Sequence, residues 1–164
     1  MNYSEHRNNI KSGDVLAWSH RGWRSLYDIK IQIVRLATRS EYSHVGIAWV
    51  VGGRVFVIEA VEPRARIFPL SKLGNFYHVP MGANWDGRVE EAAISYVGAE
   101  YRQLHAIKAF FKPLRVGSVA QCAALVIEVA RQYGVLLGTR STPDAVVLAA
   151  QELGNPLYYI KSET

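Results

Sequence analysis

Apolar and polar residues alternate around a Gly-Gly pair in residues 40–60, which is typical of a β-hairpin. The stretch reads SEYSHVGIAWVVGGRVFVIEA, and Gly52 and Gly53 are the predicted two-residue turn. The cross-strand pairs predicted from this turn are Val51 with Arg54, Trp49 with Phe56, Ile47 with Ile58, and Gly46 with Glu59. We therefore expect two antiparallel strands whose register follows from the position of the turn.

Helical spacing of apolar residues predicts further elements on both sides of this hairpin. Helices are predicted over residues 23–38, 86–97 and 117–134, and over a short segment that is capped near Thr142 or Asp144. Short strands are predicted at residues 12–18, within residues 64–81 with breaks at Pro69 and Gly74, and near the C-terminal end. Residues 99–113 are expected to form a helix or an irregular turn. Helices that are separate from an antiparallel sheet indicate an α+β fold.

Length and composition fit one globular domain. The chain has 164 residues, of which 49% are hydrophobic, and this is enough for a single core spanning residues 1–164. A formal net charge of +5 favours polyanionic partners such as anionic lipid or cell-wall polymers. Nucleic acid is not an expected partner, because the arginines are scattered and no recognised nucleic-acid motif is present.

The N-terminal residues contain no apolar core of the kind found in a secretion signal. No stretch supplies the roughly 18 apolar residues of a membrane span. We therefore expect a soluble protein that is made in the cytoplasm without a signal peptide and that has no integral membrane segment. Cys122 is the single cysteine, so an internal disulfide and a cysteine-rich metal site are ruled out.

The predicted hairpin register puts His44 and Glu59 on one face, diagonal to each other and within hydrogen-bonding reach. Glu62 falls on the opposite face, so Glu59 is the preferred partner of the imidazole. Gly46 and Ala48 share the face of His44, and these small residues are expected to let a helix end approach closely. The clearest predicted helix carries Cys122 in or near its first turn, where the helix dipole favours an anion.

Cys122, His44 and Glu59 together would form a nucleophile, a general base and an orienting acid of the kind that performs acyl transfer. Each residue also has a structural interpretation. A lone cysteine in an Ala/Val-rich helix is commonly a small core residue, a strand histidine is commonly structural, and a glutamate at a strand end is commonly solvated. His20 follows the first strand and either borders the cleft or lies in a surface loop, the second being the preferred interpretation. His78 and His105 have no partner that the sequence identifies.

Several motifs together resemble the permuted papain-like cysteine hydrolases of the YiiX/YaeF type, which are relatives of the NlpC-type cell-wall peptidases and of the lecithin:retinol acyltransferase group. The motifs, in chain order, are SGDVLAW, IVRLATRSEYSHVGIAWV, VIEA, VGAEYRQ, QCAALV and STPDAVVLAA. They span residues 11–150, and the histidine strand precedes the cysteine helix, as in that family. The implied fold is a circularly permuted papain-like one, with an antiparallel sheet against helices and the cysteine at a helix N-terminus.

The resemblance implies that Cys122 is the nucleophile, that His44 is the general base and later acid, and that Glu59 orients the imidazole. It also implies an oxyanion hole that uses the Cys122 backbone N–H. Tyr101 matches a family tyrosine and either lines the pocket, donates to the oxyanion or only packs. Two departures concern substrate preference: Arg102 stands where an aspartate is common, and CAA replaces the more usual CS followed by Glu or Gly.

The leading hypothesis is a cysteine amidase or peptidase that cleaves bacterial cell-wall peptides and needs no cofactor. Lipid or acyl amides remain open as substrates, for hydrolysis or for acyl transfer. A non-catalytic binding or assembly module, for example in a viral tail, is the alternative from a different class. A zinc site built on His44 and Glu59 would need a third ligand, for which the sequence pattern indicates no position, and the cysteine nucleophile would be redundant beside it.

Overall fold

The computed structural model describes residues 1–19, 41–100 and 119–163. The helices in these ranges are α1 (Tyr3–His6), α2 (Gly87–Ser95), α3 (Val119–Gln132) and α4 (Pro143–Glu152). The strands are β1 (Val15–Trp18), β2 (His44–Val51), β3 (Arg54–Val61), β4 (Arg64–Pro69), β5 (Phe76–Val79) and β6 (Tyr158–Ile160). Short 3-10 turns follow α1 and β4, at Arg7–Asn9 and Leu70–Lys72. The α+β prediction is confirmed.

The strands form one antiparallel sheet in the order β4-β3-β2-β1-β5-β6. The predicted hairpin register is confirmed from the Val51–Arg54 pair to the Ile47–Ile58 pair. Gly52 and Gly53 have φ values of 57° and 72°, so the turn needs the left-handed conformation that glycine adopts without strain. This hairpin lies inside the sheet, and β1 pairs with β2 on one side of it.

A second tight hairpin joins β3 to β4 through Glu62 and Pro63. Its register continues from the Val61–Arg64 pair to a pairing of Glu59 with Arg66. The prediction of one or two strands between residues 64 and 81 is confirmed by β4 and β5, which are separated near Pro69 and Gly74. The sequence reasoning did not predict that Arg66 lies directly opposite Glu59.

The two faces of the sheet bury different clusters of apolar side chains. One face carries Val45, Ile47 and Ile58, which pack with residues of α2, α3 and α4, Cys122 among them. The other face carries Ala48 and Val57. They pack in a second cluster, which contains Leu16, Trp18, Val55, Leu70 and Phe76, together with Ile10 and Ile160 near the chain termini. The sheet is therefore covered by helices on the face of Val45 and Ile47.

This arrangement corrects the expected role of Gly46 and Ala48, because α3 packs on the opposite face from Ala48. A Cβ atom at Gly46 would lie 2.4 Å from Cγ2 of Val57 and 3.1 Å from the carbonyl oxygen of Ile58. Gly46 is thus small because β3 approaches it closely, and not because a helix end needs the space.

The helices begin at the side chains that favour a helix start. Asp86 caps α2 by accepting the Val89 backbone N–H at 2.9 Å. Thr142 caps α4 by accepting the Ala145 N–H at 3.3 Å, with Pro143 in the first helical position. These caps confirm the predicted starts of both helices.

Two predicted segments lie outside the described residues in whole or in large part, namely the helix at 23–38 and the segment 99–113. Conversely, α1 was not predicted, because it has only four residues and no repeating apolar pattern. It is held by tertiary contacts: the Tyr3 N–H donates to the Lys161 carbonyl at 3.0 Å. No helix within the described ranges is long and apolar enough to cross a bilayer.

Candidate active site

His44 and Glu59 form a direct hydrogen-bonded pair between neighbouring strands. His44 is the first residue of β2, and its Nε2 lies 2.7 Å from Oε2 of Glu59 on β3. Glu59 is 2% exposed and the His44 side chain is 21% exposed. Glu62, the alternative acid, is exposed in the turn after β3. The structure therefore brings together the His44–Glu59 pair that the hairpin register predicts.

Cys122 reaches the same histidine from α3. It is the fourth residue of α3 as the structure describes that helix, and its side chain forms a hydrogen bond with His44. Because Nε2 of His44 is engaged by Glu59, the ring nitrogen left for the thiol is Nδ1. Cys122 itself is 1% exposed and packs in the cluster that contains Val45 and Ile47. The three predicted residues thus form a continuous line from sulfur to imidazole to carboxylate.

The surroundings of His44 favour its protonated form. Burial acts to lower the pKa of the imidazole, but the hydrogen bonds and charges of Cys122 and Glu59 outweigh it and raise the pKa to about 9. A histidine that keeps its proton to this pH favours a thiolate beside it. The protonated His44 therefore places a positive charge beside the Cys122 side chain.

Glu59 remains charged although it is buried. Burial acts to raise the pKa of its carboxyl, and the hydrogen bonds and charges of His44 and Arg66 outweigh that effect and lower it. Arg66 approaches Oε1 of Glu59 with Nε at 2.8 Å and with a terminal guanidinium nitrogen at 2.7 Å. The two carboxylate oxygens thus have separate partners, His44 on Oε2 and Arg66 on Oε1.

Trp18 covers the histidine from the neighbouring strand. It pairs with His44 across β1 and β2, and the two ring centroids are 5.4 Å apart. Trp18 is 9% exposed, and its buried indole N–H has no hydrogen-bond partner within the described part of the chain. The sequence reasoning missed Trp18 as a site residue, although its place at the end of β1 made it a neighbour of His44.

The chain that enters β2 is anchored to α4. The Asp144 carboxylate accepts the backbone N–H groups of Glu41 at 2.7 Å and of Tyr42 at 3.2 Å. Asp144 lies in the first turn of α4, where the helix dipole stabilises a negative charge. A cleft of about 660 Å³ opens beside these residues, and Leu137, Arg140 and Leu148 contribute to its walls. The two hydrogen bonds of Asp144 therefore hold the backbone at Glu41 and Tyr42, just before His44.

A second polar cluster lies apart from this line of residues. Nε2 of His78 is 2.8 Å from Oδ2 of Asp14, and Nδ1 of His78 is 2.8 Å from Nε2 of His6. All three side chains are at most 2% exposed. Asp14 also accepts the Met81 and Lys11 backbone N–H groups, each at 2.8 Å. The sequence identified no partner for His78, and the structure supplies two.

Three residues weighed from the sequence cannot be placed. Tyr101, the predicted pocket or oxyanion residue, lies outside the described residues, as do His20 and His105. The role of Tyr101 therefore stays a prediction.

Histidine, cysteine and acidic side chains are also the usual ligands of metal ions. Across residues 1–19, 41–100 and 119–163, no group of three or more His, Cys, Asp or Glu side chains is arranged to hold one. Of the candidate residues, His44 already has Glu59 and Cys122 as hydrogen-bond partners.

Comparison with known proteins identifies a fold relationship. No protein-family model matches the sequence, and no curated protein matches it. A solved structure that is similar is described as that of the metalloprotein YiiX from Escherichia coli O157:H7, DUF1105. It has a TM-score of 0.55 and 20% identity, and the alignment covers 79% of this chain and 69% of that one. The chain thus has a YiiX-like α+β fold.

Proposed function

We propose that this protein is a cysteine hydrolase that cleaves an amide bond through a thioester at Cys122. The observation that carries the proposal is the line Cys122–His44–Glu59, with His44 bonded to both neighbours. A cysteine beside a base that a third group orients is the arrangement that nucleophilic acyl transfer requires. The proposed fold is the circularly permuted papain-like one, with the histidine strand before the cysteine helix.

Acylation begins with attack by the Cys122 sulfur on the carbonyl carbon of the amide. The tetrahedral intermediate carries its negative charge on oxygen, and the proposed donor to that oxygen is the Cys122 backbone N–H. The His44 imidazolium then gives its proton to the leaving nitrogen, the C–N bond breaks and an amine departs. Cys122 is left as a thioester and His44 as a neutral imidazole.

Deacylation reverses the role of His44. The neutral imidazole accepts a proton from water while the water oxygen attacks the thioester carbonyl. When the C–S bond breaks, the carboxylic acid is released and the thiolate and imidazolium are restored. Glu59 keeps the imidazole in one orientation throughout, since its Oε2 holds Nε2 at 2.7 Å. Trp18, packed against the ring, would limit the access of water to this bond.

The proposed substrates are bacterial cell-wall peptides, and lipid or acyl amides are the alternative within the same chemistry. The net charge of +5 would favour an anionic wall. A delivery assembly such as a viral tail is the partner proposed for bringing the protein to such a wall. YiiX, whose structure is similar, is described as a metalloprotein. The mechanism that we propose for this chain uses no metal ion.

One observation favours a different function. Cys122 is only 1% exposed and lies among apolar side chains, as a structural cysteine would. If the thiol only packs, the chain is a binding or assembly module and neither Cys122 nor His44 performs chemistry. The two proposals differ in whether a substrate carbonyl ever becomes attached to the sulfur.

Mass spectrometry of the acyl-enzyme tests this difference. The wild-type protein and Cys122→Ala are incubated with purified peptidoglycan fragments and with an acyl-amide library. The masses of the intact protein and of the products are then measured. We expect hydrolysis and an acyl adduct on Cys122 in the wild type only, with Cys122→Ala inactive but folded. A His44→Gln variant should lose most turnover as well. Cleavage by Cys122→Ala at the wild-type rate would contradict the cysteine mechanism.

A further inference from the structure

Arg66 is the charged partner of the buried carboxylate in this site. Two of its guanidinium nitrogens lie within hydrogen-bond distance of Oε1 of Glu59, at 2.8 and 2.7 Å. The opposite oxygen of Glu59 binds His44. The carboxylate is therefore held at both ends, and its rotation about the terminal bond is restricted.

The burial of Glu59 makes this second partner necessary. A carboxylate that is 2% exposed has lost most of its water, and an ionised group in such a place needs charge compensation as well as hydrogen bonds. When His44 is a neutral imidazole, as after acylation, Arg66 is the described residue that still supplies a positive charge to Glu59. Glu59 can thus stay ionised through both halves of the proposed reaction.

Arg66 is itself placed by the sheet. It pairs with Glu59 across β3 and β4, and its guanidinium carbon lies 4.5 Å from the centre of the Phe68 ring, two residues along β4. Its side chain is 45% exposed, so it extends from solvent to the buried carboxylate. Arg64 lies on the same face of β4 but pairs at 3.8 Å with the exposed Glu100.

We infer that Arg66 is a positioning residue, which acts through Glu59 to keep His44 oriented and able to exchange protons with Cys122. This inference rests on the proposed function. Among the described residues, the ionisable groups that face Glu59 are His44 from β2 and Arg66 from β4, with Cys122 of α3 beyond the histidine. Arg66 does not contact the thiol in this arrangement, so its influence passes through the carboxylate.

The pH profile of Cys122 modification by iodoacetamide tests the inference, and the single cysteine gives an unambiguous mass shift. In Arg66→Gln, Glu59 should take up a proton at higher pH than in the wild type, because one of the two groups that keep it ionised is gone. The pH below which the rate of Cys122 modification falls should therefore be higher in Arg66→Gln than in the wild type. The rate at pH 7 should fall by about ten- to a hundred-fold, as expected when a charge-assisted hydrogen bond is removed.

Two matched variants separate positioning from general destabilisation. Arg66→Lys keeps the charge and should recover part of the rate, with an acid limb close to that of the wild type. Arg64→Gln removes an arginine from the same strand and face and should reproduce the wild-type profile. The inference would be overturned if the pH profile of Arg66→Gln superimposed on that of Arg64→Gln. The proposed function would remain intact in that case, provided that modification of Cys122 in the wild-type protein depends on His44.

An NMR titration of the His44 ring gives a second readout that does not use the reactivity of the thiol. In Arg66→Gln, the change of the His44 signals that accompanies protonation of Glu59 should appear at higher pH than in Arg64→Gln. Identical signals in both variants across the acid range would overturn the inference by this route too. If modification of wild-type Cys122 proves independent of His44, the proposed function fails, and this titration still decides the role of Arg66.

Discussion

At the scale of residues, four side chains form one line in which acidic and basic groups alternate. Cys122 meets His44, His44 meets Glu59, and Glu59 meets Arg66, on four different elements of the fold. Cys122 and Glu59 are almost fully buried, while His44 and Arg66 are partly exposed. The buried charge of Glu59 thus lies between the positive charges of His44 and Arg66, which is the condition under which buried charges are tolerated.

A Glu59→Gln variant tests the contribution of the carboxylate charge. Glutamine keeps the shape but removes the charge that helps to hold the proton on His44, so the pKa of the imidazole should fall from about 9. The rate of Cys122 modification should change at the pH at which His44 loses its proton, and in Glu59→Gln this pH should be lower by about one to two units. A shift of that size corresponds to the free energy of one charge-assisted hydrogen bond. Iodoacetamide modification between pH 5 and 10 measures this, with Glu62→Gln as the matched control. An unchanged pH for this step would show that Glu59 does not tune the histidine.

The sequence was sufficient to predict that His44 lies beside Glu59 and Cys122, but not to find the other neighbours of these residues. The Gly-Gly turn fixes the register of β2 and β3 and thereby the pairing of His44 with Glu59. Arg66 could have been found in the same way, by taking Glu62 and Pro63 as the next two-residue turn. The contacts of His78 with Asp14 and His6 could not, because they join residues 64 and 72 positions apart and no local pattern records such a distance.

At the scale of elements, the β2–β3 hairpin is the part that positions the site. Its left-handed Gly-Gly turn and its alternating apolar pattern made the hairpin predictable in detail. The short α1 was not predictable, because it is stabilised by tertiary contacts and has no sequence pattern of its own. The face on which the cysteine helix packs was predicted wrongly. Small residues at Gly46 and Ala48 suggested room for a helix, but alternation alone does not say which face receives it.

A Gly46→Ala variant tests the close approach of β3 to β2. The added Cβ would lie 2.4 Å from Cγ2 of Val57, so the strands must shift. We expect a loss of about 1–3 kcal/mol in the free energy of unfolding, the usual cost of overpacking. Gly74→Ala, where a Cβ meets nothing within 4 Å, is the matched control. Urea unfolding measures both, and the double variant Gly46→Ala/Val57→Ala should lose less than the sum of the single changes. Equal stability of the two alanine variants would contradict this account.

At the scale of the whole molecule, two histidines, His44 on β2 and His6 in α1, have opposite effects on the pH dependence of stability. The pKa of His44 is raised, so its proton stabilises the fold fully below pH 6.5, and this contribution is lost as the pH rises through about 9. The pKa of His6 is lowered, by burial first and then by His78 and the N-terminal amino group, with Asp14 opposing. Its effect on stability is present above pH 6.5 and is lost as the pH falls below that value.

A His6→Gln variant tests the second of these effects. Unfolding releases His6 into water, where it takes up a proton at mild acid pH, so the wild type should lose stability between pH 7 and 5. The slope attributable to one proton is at most about 1.4 kcal/mol per pH unit. His6→Gln should be less stable at pH 7 but should show a smaller slope in urea unfolding over this range. An unchanged slope would mean that His6 does not contribute to the acid sensitivity.

The most direct test of the central claim is an NMR titration of the His44 imidazole in the wild type and in Cys122→Ala. We expect wild-type His44 to titrate near pH 9, because Cys122 and Glu59 both stabilise its proton against the effect of burial. In Cys122→Ala the titration should move to lower pH, since one of the two partners is gone. A His44 that titrates near 6.5 in both proteins, as an isolated histidine does, would show that the thiol and the imidazole are not coupled and would contradict the cysteine mechanism.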